Sequence, residues 1–175
     1  MKTTDKDIGV LVEAAFRGDS PLGRVMAESE AYQYIADLRE RLSASMSQLD
    51  LSIKSLATLE DLLSTHLPGF LGSNEKTDDD ILRFFRETAA YIGLTFVRNS
   101  PAEWVLTSAS LFSNYIQYRY TATGQELPDI RYVTYTLFSL ASYCWQQCMR
   151  GQQANLAAIV TREKRRRPRA RQVCQ

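Results

Sequence analysis

Residues 94–107 read LTFVRNSPAEWVLT, and the fold class turns on this stretch. Leu94-Thr95-Phe96-Val97-Arg98 and Glu103-Trp104-Val105-Leu106-Thr107 are rich in β-branched and aromatic side chains, which fit a pleated, half-buried surface. Asn99-Ser100-Pro101-Ala102 between them has the composition of a turn, so the segment predicts a β-hairpin. Downstream, FSNYIQYRY at 112–120, stopping at Thr123-Gly124, reads as a third strand. Tyr115 and Ile116 interrupt its alternation, and a helix is the competing reading.

The period upstream of the hairpin is helical. From Pro21 to Met46, the residues Val25, Tyr32, Ile35, Leu38, Leu42 and Met46 recur mostly at steps of three and four, with charged residues between them. Leu51, Ile53, Leu56, Leu59, Leu62 and Leu63 repeat the pattern until Leu67-Pro68-Gly69, a helix stop. Thr77-Asp78-Asp79-Asp80 then supplies a cap, a capping-box acid and negative charge at the positive end of a helix dipole. Ile81, Phe84, Phe85, Thr88, Ala89 and Ile92 predict one apolar side of a third helix, which Gly93 closes. After the strands, residues 131–150 read as a fourth helix with Val133, Leu137, Leu140, Ala141, Cys144, Trp145 and Cys148 as its stripe. Tyr132-Val133-Thr134 allow its first turns to be extended instead. Asn155 to Glu163 adds a short helix.

Helices, then a small antiparallel sheet (the hairpin plus a third strand), then a C-terminal helix and a basic tail make the expected class α+β. We expect one domain over residues 1–160 and a flexible basic tail over 161–175. At 175 residues, with 45% apolar and 23% charged, the chain is long enough for a single core. No apolar run reaches the ~18–20 residues of a membrane span. An acidic N-terminus and three unpaired cysteines, Cys144, Cys148 and Cys174, suggest a cytoplasmic protein.

The net charge of +1 hides an asymmetry. From Arg162 onward, seven basic residues face one acidic residue, a net of +6; residues 1–161 hold 14 basic and 19 acidic, a net of −5. Arg162, Lys164, Arg165, Arg166, Arg167, Arg169 and Arg171 form a polybasic segment of the kind that binds phosphate polymers or anionic surfaces. Nucleic acid through this tail is one partner class. Another is a second protein, for which Tyr115, Tyr118, Tyr120, Tyr132 and Tyr135 are the candidate contacts, since tyrosine is enriched at interfaces. Half-buried sheet tyrosines paired across strands are the alternative reading of that cluster.

Enzyme chemistry finds little purchase. His66 is the only histidine and stands at the end of a leucine-rich helix, where it suits terminal carbonyls better than a catalytic role. Cys144 and Cys148, four apart, share a helix face, yet a structural zinc wants four ligands, so they read as small buried hydrophobes. The eight glycines show no phosphate-cradle spacing. Asp78, Asp79 and Asp80 point in different directions on a helix and do not converge on a cation. Glu87 and Glu103 are the candidate carboxylates of an acid/base pair; an exposed helix residue and a cross-strand charge partner are their simpler readings. No cofactor is expected.

Ser55-Leu56-Ala57-Thr58-Leu59, then Ala90-Tyr91-Ile92-Gly93, then Trp104 give a sequence of motifs that resembles a loose class of small bacterial domains of unknown function. The likeness spans Leu51 to Met149, and some members of that class sit near toxin and immunity genes. The residue after the glycine is commonly acidic there, whereas this chain has Leu94. The resemblance implies a bacterial, cytoplasmic, non-enzymatic protein of immunity-like, adaptor or chaperone type, and carries no catalytic residue across.

Overall fold

Thr77 and its three aspartates open the helix around which the rest of the protein is arranged. A computed structural model describes Leu22 and residues 25–106, 114–122 and 129–165. In chain order these form α1 (Glu28–Arg41), α2 (Ile53–Gly72), α3 (Asp78–Asn99), β1 (Ala102–Leu106), β2 (Asn114–Ala122), β3 (Asp129–Thr136), α4 (Leu137–Met149) and α5 (Leu156–Arg165). The class is mixed helix and strand, with helix predominant among the described residues.

The α3 cap is the expected capping box, completed by an aspartate: Asp80 N–H donates to Thr77 Oγ1 at 3.2 Å and Thr77 N–H to Asp80 Oδ2 at 2.9 Å. Beyond the first turn the helix is buried on every side. From Leu82 to Phe96 only Arg83 is exposed. That is the signature of a central helix encased by its neighbours, where a one-sided stripe was expected. Phe84 and Phe85 meet the edge of Trp145 on α4 at 5.2 and 5.3 Å between centroids, and Trp145 Nε1 donates to Thr88 Oγ1 at 3.1 Å.

Gly93 does not stop α3, which runs on through Asn99. A Cβ at position 93 would lie 2.6 Å from Trp104 Cζ3 and 2.8 Å from Leu137 Cδ2, so the glycine lets β1 and α4 approach the helix. Leu94–Arg98, expected as a strand, is therefore helical. Leu94, Thr95 and Phe96 are buried, and Thr95 Oγ1–H donates to the Tyr91 carbonyl one turn back at 2.8 Å, so β-branched propensity yields to tertiary burial. The stop lies at Ser100, whose extended backbone is what a following proline demands.

Moving that boundary moves the hairpin. β1 pairs antiparallel with β2 in the register Trp104↔Ile116, and β2 with β3 in the register Tyr118↔Val133, giving the order β1-β2-β3. Residues 129–136 are strand, so residues 131–136 take the extended alternative to the first turns of the expected fourth helix, and α4 begins only after Thr136, whose Oγ1 accepts Ser139 N–H at 3.0 Å. β1 lies beside α3, while β2 and β3 lie beside α4.

Two further boundaries differ. α2 passes through Pro68 to Gly72 because Phe70 in its last turn packs edge-on against Phe84, centroids 5.0 Å apart. α1 is shorter than expected, residues 25–27 preceding it being non-helical, and Tyr32 and Met46 are exposed at 53% and 74%, with Ala31, Ile35, Leu38 and Leu42 facing inward. Pro21 lies outside the described residues.

Ser55, Tyr91, Gly93 and Trp104 act as packing devices. Tyr91 Oη accepts Leu51 N–H at 3.1 Å and lies 2.5 Å from Ser55 Oγ, while Asn99 Nδ2 donates to the Leu51 carbonyl at 2.7 Å. Together they hold Leu51 at φ 63° in the link between α1 and α2. Gly93 and Trp104 are in direct contact.

A Gly93→Ala variant tests the packing role of the glycine. Helix propensity alone predicts a gain of about 1 kcal/mol. Contact with the indole predicts a loss of about 1–3 kcal/mol, which is the outcome we expect in urea unfolding.

Candidate functional site

The expected site residues divide into those the fold assembles and those it separates. Of the five tyrosines the side chain of Tyr135 is described, on β3 opposite Ile116, and those of Tyr115, Tyr118, Tyr120 and Tyr132 lie outside the described residues. Tyr135 is half-buried and its ring meets Phe96 at 6.3 Å. Of the basic residues, Arg162, Lys164 and Arg165 belong to α5, so the expected boundary at residue 160 falls within a helix. Arg166, Arg167, Arg169, Arg171 and Cys174 lie outside the described residues.

α5 is built from its buried side outward. Leu156, Val160 and Glu163, at steps of four and three, face inward. Its start is held by Glu60 of α2, a carboxylate only 2% exposed, which accepts Leu156 N–H at 2.9 Å and Asn155 N–H at 3.1 Å. A side chain from a distant helix thus does what an N-cap residue normally does. The turn before it passes through Gly151 at φ 67° and Asn155 at φ 56°, residue types that tolerate the left-handed region.

At the other end, Tyr135 and Arg162, expected in separate sites, come together. Tyr135 O–H donates to Glu163 Oε1 at 2.9 Å, while Arg162 donates from Nη2 to Tyr135 Oη at 2.9 Å and from Nε to Glu163 Oε1 at 3.2 Å. Burial, reinforced by the Glu163 carboxylate, pushes the Tyr135 hydroxyl above its usual range. Hydrogen bonding to Tyr135 raises Arg162 further, so both groups hold their protons at neutral pH. Arg162 of this triad, with Ala157, Ala158, Thr161 and Arg165, lines an open depression of about 560 Å³. Its floor is largely hydrocarbon and its basic groups lie at one end.

A second, polar cleft of about 340 Å³ is lined by Asp37, Glu40, Arg41, Arg83 and Glu87. Glu87 is completely buried, contrary to the simpler reading of it as an exposed helix residue. Both its oxygens are engaged by Arg41, with Nε at 2.7 Å and Nη2 at 2.9 Å, and the guanidinium stands 5.0 Å from the Phe84 ring. Burial raises the Glu87 carboxyl above its usual range, and Arg41 opposes that shift. A carboxylate held in a bidentate fork fixes α1 to α3. Glu103 is exposed on β1 opposite Gln117 and takes no part in this cleft.

Comparison with protein-family models, with curated proteins and with solved structures finds no match.

The other candidates have structural surroundings. His66 Nδ1–H donates to the Leu62 carbonyl at 2.8 Å, one turn back within α2; because that helix runs on to Gly72, His66 does not stand at the helix end where it was expected. Cys144 and Cys148 are buried on one face of α4, and Cys148 Sγ donates to the Glu60 carbonyl at 3.4 Å. The hydrogen bond to Cys148, with burial, holds the Cys144 thiol protonated, well above its usual value. Among the described residues no group of three His, Cys, Asp or Glu is placed to hold a metal, and no helix is long and apolar enough to cross a membrane.

Sequence reading passed over the residues that organise the site, Glu60 and Glu163. Their signal was a charge within an apolar stripe: Glu60 follows Leu56 by four, and Glu163 follows Val160 by three.

Proposed function

We propose that this chain is a non-enzymatic protein that works by binding another protein through the outer face of α5, in the manner of an immunity-like inhibitor, adaptor or chaperone of bacterial, cytoplasmic type. The observation that carries this reading is the depression beside the Tyr135–Glu163–Arg162 triad: an apolar floor and basic end on a helix anchored at both termini. Apolar surface surrounded by polar groups, on a rigid element, is the form of a recognition surface.

Nucleic acid is the alternative, favoured by Arg162, Lys164 and Arg165 on one helix with Arg166, Arg167, Arg169 and Arg171 following in sequence. A phosphate polymer makes no use of the apolar floor.

Affinity capture from nuclease-treated lysate, with the full chain and with an Ala158→Glu/Arg165→Glu variant, tests the reading. A defined protein should stay with the unaltered chain, and reconstitution from purified components should show at least about tenfold weaker binding to the variant, or about 1.4 kcal/mol. Equal binding to both overturns the assignment to α5, and material lost to nuclease supports the alternative. Truncation should follow Arg165, since ending the chain at Val160 removes the buried Glu163.

A further inference from the structure

Resting on that reading, we infer that the partner segment seated on α5 is an acidic amphipathic helix, with Arg162 as the fixed receptor for one of its carboxylates. The depression follows α5 through residues 157, 158, 161, 162 and 165, a stripe in which 157, 161 and 165 are four apart and 158 and 161, like 162 and 165, three apart. That stripe extends about 12 Å, or two helical turns, and a second helix of matching period presents side chains at the same spacing. The methyl groups of Ala157, Ala158 and Thr161 make a low floor on which a leucine-sized side chain is desolvated. The flanking groups, Arg162 and Arg165, are one turn apart on the same face and cationic, so the side chains beside that apolar residue are acidic.

Arg162 differs from an ordinary surface arginine. Nε is bound to Glu163 and Nη2 to Tyr135, which fixes the guanidinium plane while its side chain remains 56% exposed. Nη1 has no protein partner among the described residues. A guanidinium already ordered forfeits less rotamer freedom on meeting a carboxylate, and its planar fork is directional where an ammonium is not. Tyr135 is therefore a positioning residue, acting on the partner through Arg162. Lys164 and the basic residues that follow from 166 in the sequence add positive charge and so attraction.

The test uses the full chain and three labelled probes: a synthetic amphipathic peptide of about 14 residues, leucine at helical spacing and glutamate between, its scrambled isomer of equal charge, and single-stranded oligothymidylate. In fluorescence anisotropy the amphipathic peptide should bind about tenfold more tightly than the scrambled one. Arg162→Lys and Tyr135→Phe should each weaken it about three- to tenfold, with thermal unfolding confirming that both variants remain folded. Equal binding of the two peptides, or indifference to Arg162→Lys and Tyr135→Phe, overturns the inference. Oligothymidylate binding tighter than either peptide also overturns it and moves the site to phosphate polymers. If the amphipathic peptide fails while the captured protein still discriminates Ala158→Glu/Arg165→Glu, the interaction reading stands and the partner chemistry is wrong; failure of both removes both.

Discussion

Glu60→Ala is expected to destabilise the protein by about 2–4 kcal/mol, because the buried carboxylate that accepts two backbone N–H groups at the start of α5 is lost, and one of those groups, on Leu156, is itself buried. For a chain of this size that corresponds to a fall in Tm of roughly 5–15 °C. The effect should also be local. Amide exchange at Leu156 and the first turn of α5 should accelerate well beyond the global change, since the cap holds that helix in particular. Glu60→Gln keeps one acceptor but turns an amide N–H2 toward a donor, and should fall between the two. A Glu60→Ala protein within about 0.5 kcal/mol of the parent, with unchanged exchange in α5, would show that apolar burial of Leu156 and Val160 alone holds the helix.

The second large effect is expected at Arg41, and it should depend on pH. Arg41→Met removes the guanidinium that engages both oxygens of Glu87 and leaves a carboxylate that is completely buried. Breaking such a pair from one side costs about 2–4 kcal/mol at pH 7, part of the usual range being relieved by the exposed edge of Arg41. Burial already raises the folded carboxyl above its ordinary 4.5, and Arg41 is the main group holding it down. With Arg41 gone the shift grows, so the folded state binds the proton more tightly than the unfolded one. Stability linked to Glu87 is then fully present below the unfolded value and is lost as pH rises through the folded value. The difference between parent and variant in urea melts should therefore be small near pH 4 and widen toward pH 7; a difference that is constant, or largest in acid, would show that lost packing on Phe84 is what matters.

Several parts of the fold were legible because the signal was local. Thr77 and Asp80 are three residues apart and form the cap their spacing predicts, in a stretch where no distant contact competes. The stripe on α2 survives in the structure as Leu56, Leu59, Leu63 and Leu67, all buried. Cys144 and Cys148 fall on one face of α4, as a spacing of four requires. Legibility failed where a residue's role is set by what it touches. Gly93 reads as a helix stop but sits inside a helix because the Trp104 indole occupies the space a side chain would need. Pro68 reads as a stop, yet Phe70 beyond it finds Phe84 and the helix continues. Residues 131–136 admitted both a helical and an extended reading, and pairing with β2 decided between them.

The candidate site shows the same division more sharply. Tyr135 and Arg162 were each singled out as candidate contacts from their type and company, but their meeting across 27 positions, with Glu163 between their polar atoms, follows from the packing of α5 against α2 and α3.

By itself the sequence determined the helical periods, the α3 cap, the mixed class and the opposition of an acidic body to a basic end, because propensity, spacing and net charge are properties of neighbours along the chain. The tertiary structure alone decided which glycine and proline were tolerated inside helices, where α3 gives way to strand, and which charges were buried. Those outcomes follow from contacts between segments far apart in sequence, where burial and shape outweigh the smaller local preferences of the backbone.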